Sequence, residues 1–450
     1  DTGQSQRLHL SPPLSAPAKV GLSKVSKHSI IRHNDTFDVR TGGGGTRDHH
    51  VGEIASTAPL PLRSVSFGPF VSPMNRLVSF ALKVLLLPIG SAAYHLVAAG
   101  RAAAGEPTDS SAVMSAEKKY WRAQAENMRK DPAIIRVLPY DMLDGGTTLS
   151  DALECAIADE SANKRVCVYH VASSFGPTPD PVRTARNNVK SAEDAVSCLA
   201  KCSELHPASR FRLVLTSSMA AVRATSQSPL NGKYYTHLDW NTESKLNESN
   251  WGSCYQWSKA ASERRARETV NKCNEELETP IEMVSLCPSF VFGPQVPRPR
   301  SLSTDECEAS SSSYSITLVD QWLRGKSQVQ SRLCSDVRDV AAAHVEAGVM
   351  DPLPASEEER RFILSTEERL SSERTADALK RAVTKLQDEQ IALDLDLDSI
   401  TCDTNFDGGA IKIGDREVDA AKRLEELGVR CRPVEETMHD MAEALVLGSL

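Results

Sequence analysis

Tyr255 and Lys259 stand four residues apart in the run GSCYQWSKAASERRA. On a helix this spacing puts both side chains on one face, where an ammonium can bring a phenol's proton chemistry toward neutral pH. An unperturbed tyrosine titrates at about pH 10, and a general acid works best near ambient pH, so a neighbouring cation is the adjustment such a donor needs. An exposed helix carrying a surface lysine is the competing reading. Upstream, FRLVLTSSMAAV offers the hydroxyls of Ser217 and Ser218, either of which would hold an oxygen on which charge develops. Ser218 is taken first and Ser217 is the fallback, since nothing in the residues separates adjacent hydroxyls.

The elements that must position these groups are legible around them. FRLVLTSSMAAV (211–222) is a short apolar run rich in branched residues, and reads as a buried strand delivering serines at its carboxyl end. IEMVSLCPSFVFGP (281–294) reads as another strand entering a loop at Pro288, Gly293 and Pro294. RVCVYHVASSF (165–175) and AIIRVLPYDMLD (133–144) are two more apolar runs that end in small or acidic residues. Helical patterns fill the intervals. This alternation predicts an α/β fold, a doubly wound, Rossmann-like parallel sheet with helices on both faces. Ligands of such sheets bind outside the carboxyl ends of the strands, where Ser173, Ser218, Pro288 and the segment leading to Tyr255 would collect.

The segments YDMLD, YHVASSF, LVLTSSMAAV, LDWNTES with YQWSKAASERRA, and LCPSFVFGP make the chain similar to the extended short-chain dehydrogenase/reductase superfamily. They resemble in particular its dihydroflavonol reductase and cinnamoyl-CoA reductase-like branch. The likeness resumes at SDVRDVAAAHVEAGV (335–349) and RFILS (361–365), and spans roughly residues 80–450. It implies reversible hydride transfer between a nicotinamide cofactor, NADP with NAD left open, and the carbonyl carbon of a ketone or aldehyde. Tyr255 would be the general acid, Ser218 the oxygen-holding group, and Lys259 the cation that also holds the nicotinamide ribose. Ala172, Ser173, Pro288 and Ser289 would shape the cofactor pocket, and Asp141 would lie near the adenine. The resemblance further implies a substrate lobe after residue 294 and a homodimer formed through helices that include the Tyr255 helix. A nucleotide-sugar epimerase or dehydratase, and a non-catalytic scaffold on the same fold, are the alternatives.

LVSFALKVLLLPIGSAAYHLVAAG (77–100) is apolar enough to raise a membrane anchor, but Lys83, Pro88 and His95 count against one. It reads instead as the first strand (Lys83–Leu87) and first helix of the dinucleotide fold. Three small residues normally follow that strand, for the turn, the approach to pyrophosphate and helix packing. By resemblance, Leu87, Gly90 and Ala93 occupy those positions, so the turn glycine is replaced and cofactor affinity is in question. The following PTDSSAVMSAEKK (107–119) shows neither an obvious ribose-binding Asp nor a well-placed Arg; Lys118 and Lys119 read first as a solvated helix start, with a phosphate contact as the alternative.

Composition narrows the setting. A net charge of −8 and a pI near 5.8 give no basic footprint for nucleic acid. The eleven cysteines are odd in number and lack metal-ligand spacing, Cys198 and Cys202 included, which points to a reducing, cytoplasmic setting and no metal site. Residues 1–75 are rich in Ser, Thr, Pro and Gly and read as a disordered extension. The chain opens on Asp1 rather than Met, so processing of its start and a targeting segment both stay open. Domains are expected at 76–294, the cofactor-binding core, and 295–450, a mixed α/β substrate lobe. Within that lobe, 301–315 reads as a Ser-rich loop and 335–365 returns to the core. Asp336, Arg338 and Asp339 read as a structural ion-pair and capping unit, His170 as a packed imidazole, and EEERR and LDLDLDS (393–399) as solvated faces or an edge strand.

Overall fold

The computed structural model describes residues 138 and 140–158, 165–294, 314–391, 394–403 and 416–449, with residue 119 and the backbone of two strands at 82–88 and 95–98. The chain divides into two units, Asp1–Val65 and Ser66–Leu450, and every described residue belongs to the second. In chain order, the first elements are β1 (Leu82–Pro88), β2 (His95–Ala98), α1 (Thr147–Ala158), β3 (Arg165–His170), α2 (Pro181–Leu205) and β4 (Arg210–Thr216). A one-turn α3 (Met219–Val222), α4 (Trp251–Asn274), β5 (Glu282–Pro288) and β6 (Phe290–Phe292) follow. The remainder holds α5 (Tyr314–Leu323), β7 (Cys334–Asp336), α6 (Val337–Val349), β8 (Arg361–Leu364), α7 (Ser372–Asp388), α8 (Ala421–Glu426) and α9 (Val434–Ser449).

Six strands form the main sheet in the order β2-β1-β3-β4-β5-β8, and β3, β4, β5 and β8 run parallel. The period-two alternation of these strands serves two cores. Val168, Leu213, Leu215 and Met283 pack with Ala192, Val196 and Leu199 of α2 and with Ala266 and Val270 of α4. Cys167, Tyr169, Val214, Val284 and Leu286 face the other way, toward Ala343 and Ala347 of α6 and Leu424 of α8. A third core joins Phe292 and Trp322 to α7 and α9. This is the expected α/β class.

Each long helix starts where its side-chain chemistry dictates. Asp180 caps α2 by accepting from Arg183 N ahead of Pro181, and Asn250 caps α4 by accepting from Ser253 N. Arg212, fully buried in mid-strand β4, is satisfied by Glu282 and by the carbonyls of Ala347, Gly348 and Met350 at the end of α6. The guanidinium thus caps a helix whose last carbonyls have no intrahelical donor. At Gly348 a Cβ would lie 1.8 Å from Tyr169 Oη, so a side chain is excluded there by packing.

Several expectations are corrected. The strand foreseen at 83–87 forms, but the helix after it does not, because 95–98 is β2, paired antiparallel with β1. β1 is also antiparallel to β3: Leu87 pairs with Cys167 and Pro88 with Val166 at the amino end of β3. Leu87 is therefore a strand residue, and the chain leaves β1 at the edge of the sheet opposite to Ser173. The described part of the acidic run, 394–399, is no edge strand, since Leu397–Ser399 is a single 3-10 turn capped by Asp396. Tyr314 and Ser315, expected in a loop, open α5. The Ser-rich stretch 301–313, residues 1–75, Gly90, Ala93 and Lys118 lie outside the described residues. Asp336 does cap α6 and pair with Arg338, as expected of the capping unit, whereas Asp339 pairs with Arg432, which was not expected.

Candidate active site

Three successive hydroxyls end β4, and the alternation of the strand sends them to different partners. Thr216 Oγ1 lies 2.7 Å from His344 Nε2 on α6. His344 Nδ1 is 2.7 Å from Val340 O, so Nδ1 carries the proton and Nε2 accepts from the threonine. Burial lowers His344 to about 4, which keeps this ring neutral. Ser217 Oγ points to the opposite face and donates to Glu263 Oε2 at 2.7 Å. Ser218 is the N-cap of α3, accepting from Ala220 N, and its hydroxyl acts to lower the pKa of the Tyr255 phenol. The two serines, alike in the sequence, thus differ in surroundings: Ser217 is committed to a carboxylate, whereas Ser218 acts on the phenol.

Tyr255 and Lys259 share one face of α4, as their spacing requires. Burial pushes the Tyr255 phenol up to about 12, with the Ser218 hydroxyl acting against it. The expected depression by Lys259 is not seen, because Nζ stands 5.8 Å from the ring centroid and instead donates to Thr216 O at 3.1 Å. Burial lowers Lys259 itself to about 8, opposed by Cys287 and Glu263. A group titrating there exchanges protons close to neutral pH.

Lys259 lines a small pocket with His170, Ser173, Asn188, Ser262 and Glu263 at the carboxyl ends of β3 and β4. Ser173 Oγ and Ser262 Oγ are buried there with no hydrogen-bond partner among the described residues. Buried hydroxyls of this kind call for a polar guest. Asn188 fixes the adjoining loop, accepting from Ser174 N and donating to Ser174 O and Ser258 Oγ. His170, expected as a packed imidazole, is buried and held to about 4 by burial and by Lys259; its Nε2 contacts Ser191 Oγ, which also meets Tyr140 Oη. Ala172 is buried beside it.

The other expected cofactor residues have local work. Ser289 Oγ bonds Ser335 Oγ at 2.8 Å, and its amide donates to Leu364 O, so Pro288–Ser289 stitches β5 to β7 and β8. Asp141 accepts from Leu143 N and its own amide donates to Thr148 Oγ1, shaping the turn into α1. Sequence reasoning missed Glu263, Arg361 and a ring cluster. Glu263 continues the four-residue spacing of Tyr255 and Lys259, which was the available signal. Arg361 was hidden in the charged run EEERR. Phe175, 45% exposed, packs edge-on against Tyr255 (4.5 Å), Trp251 (5.5 Å) and Tyr314 (5.5 Å) at the mouth of the site. Those aromatics come from three separate elements, which no spacing could reveal.

A parallel sheet covered by helices on both faces, with a serine, a tyrosine and a lysine gathered at the carboxyl ends of its strands, is a Rossmann-like α/β arrangement. Solved structures share the fold. Yeast methylglyoxal/isovaleraldehyde reductase Gre2, solved with NADPH, matches with a TM-score of 0.55 and 19% identity over 78% of this chain and 91% of that one. Gre2 of Candida albicans, also with NADPH, matches with a TM-score of 0.56 and 18% identity over 79% and 92%. At these identities the likeness is one of fold. In sequence, the uncharacterized oxidoreductase C513.07 of Schizosaccharomyces pombe is 34% identical over 141 residues, 30% of this chain. The match spans 39% of that relative's length. No family model matches. Among the described residues no helix is long and apolar enough to cross a membrane.

Proposed function

We propose that the protein is an NAD(P)-dependent oxidoreductase that reduces a ketone or aldehyde, or oxidises the matching alcohol. The observation that carries this reading is Tyr255 and Lys259 on one face of α4, with Ser218 acting on the phenol and Lys259 bordering a pocket of unpartnered buried hydroxyls. Lys259 and Ser173 border that pocket and would hold the hydroxyls of the nicotinamide ribose of a cofactor bound against it. NADP is favoured because both Gre2 structures contain NADPH. When bound, the dinucleotide supplies the hydride in reduction and takes it in oxidation.

The chain's own residues handle the oxygen. Tyr255 Oη gives its proton to the carbonyl oxygen as negative charge builds there, and Ser218 Oγ donates a hydrogen bond to the same atom. A phenol near 12 is protonated throughout the physiological range, the state that reduction needs. Lys259, ionised below about 8 and held by Thr216 O, serves the ribose of the cofactor rather than the phenol. Phe175, Trp251 and Tyr314 supply an apolar rim that excludes water and accepts the carbon skeleton of the substrate.

A second reading, a binding module without catalysis, is favoured by β1. Its antiparallel course carries Pro88 away from the pocket, so this strand does not present a pyrophosphate turn beside Lys259. One experiment separates the two. The purified chain is titrated with NADPH and with NADH, following nicotinamide fluorescence. Micromolar binding followed by turnover in a carbonyl screen supports the oxidoreductase; binding of neither cofactor supports the module.

A further inference from the structure

Tyr255, Lys259 and Glu263 follow one another at intervals of four along α4, and the third lies deepest, with no exposed surface. Its carboxylate is saturated. Oε2 accepts from Ser217 Oγ at 2.7 Å and from Arg361 Nη2 at 3.3 Å. Oε1 accepts from Arg361 Nε at 2.8 Å and from Arg267 Nη2 at 3.3 Å. Arg361 comes from β8, lies over the Trp240 ring at 4.0 Å and donates to the carbonyls of His237 and Asp239. Arg267 also reaches Ser285 Oγ on β5. One carboxylate therefore joins β4, β5, β8 and α4 directly behind the proton donor.

A buried ion cluster of this kind is a poor source of stability, because desolvation of the charges offsets most of their attraction. Its geometry serves placement. We infer that Glu263 is a positioning residue for the proposed reaction: it clamps Ser217 to α4, so that Ser218 is presented to Tyr255, and it offsets two guanidinium groups so that Lys259 remains a cation. This rests on the oxidoreductase reading. The groups that bear on Lys259 are Tyr255 and Glu263 on its own helix, His170 on β3 and Cys287 on β5, while Arg267 on α4 and Arg361 on β8 are paired with Glu263. His170 is neutral, and burial pushes the Cys287 thiol to about 12. Glu263, held to about 2 by Arg361 and Arg267 against its burial, is then the standing negative charge among them.

The test uses the full chain, with its lysines converted to 13C-dimethyl-lysine and the Lys259 signal assigned by its loss in Lys259→Arg. In Glu263→Gln the Lys259 midpoint is expected to fall by about one pH unit or more. The alkaline limb of kcat should move to lower pH with it, and kcat near neutral pH should fall about tenfold or more. A folded Glu263→Gln with an unmoved Lys259 midpoint and full kcat overturns the inference. Should that variant fail to fold, Ser217→Ala decides, since it leaves the ion cluster whole. There kcat is expected to drop about tenfold with KM and the Lys259 midpoint unchanged, and undiminished kcat overturns the clamp. A wild type that binds neither NADPH nor NADH would instead sink the oxidoreductase reading, while the Lys259 titration still reports on Glu263.

Discussion

Lys259 Nζ donates to the carbonyl oxygen of Thr216 at 3.1 Å, which ties the cation to the end of β4 rather than to the phenol one turn away. Burial lowers this lysine from 10.5 to about 8, so the fold holds fewer protons than the unfolded chain between those values. Stability should therefore rise with pH across that window, and the charged form should cost the fold about 3 kcal/mol below it. Lys259→Met removes the group and is expected to flatten the slope, as followed by urea unfolding at pH 7 to 10. It should also weaken NADPH binding.

Tyr255→Phe keeps the ring against Phe175 and loses the hydroxyl. Folding and cofactor affinity should stay close to wild type, while turnover falls by about two to four orders of magnitude. Undiminished turnover would remove the phenol from the mechanism.

Arg361 and Glu263 are buried together, so removing one partner strands the other. Arg361→Met should destabilise the fold by about 3 kcal/mol or more in urea unfolding. The pH dependence has a definite sign. Glu263 is held at about 2, below its ordinary 4.5, so its contribution is complete above 4.5 and is lost as pH falls toward 2. Acid unfolding measured by circular dichroism should steepen in that window, and should do so less in Glu263→Gln.

Gly348→Ala sets a methyl against Tyr169, with the hydroxyl at 1.8 Å and the ring carbon Cζ at 2.8 Å. Overpacking of this kind costs about 1–3 kcal/mol. Adding Tyr169→Phe should restore part of the loss, as read from thermal melts of the single and double variants.

Phe175→Ala opens the rim above Tyr255 without touching the proton donor. The expected result is a raised KM for bulky apolar carbonyl substrates with kcat for a small aldehyde nearly unchanged. A uniform fall in kcat for both would place the ring in the chemistry instead.

The parts of this molecule that repeat a short period were legible. Apolar runs gave β3, β4 and β5, and the four-residue interval gave the shared face of Tyr255 and Lys259. The direction of β1 was not legible, because LKVLLLP is equally apolar whether it runs with or against its neighbour. Nor did the sequence tell Ser217 from Ser218, since the distinction depends on Glu263 reaching across from α4. Arg361 sat in a run of charges that reads as solvated surface, and only its strand pairing with Ser285 carries it inward. Long-range partners of this kind leave no local trace.

Because the counter-charge behind Tyr255 and Lys259 depends on Arg361 from β8, the site is completed by a strand far along the chain from the helix that carries the phenol. A polypeptide ending near residue 294 would carry the serine, tyrosine and lysine intact, yet lose the outermost strand of the sheet and leave Glu263 without its bidentate arginine. An early stop codon, a splice variant or a protease cut before residue 361 would thus yield a product with every signature residue of the reaction and a ruined electrostatic interior.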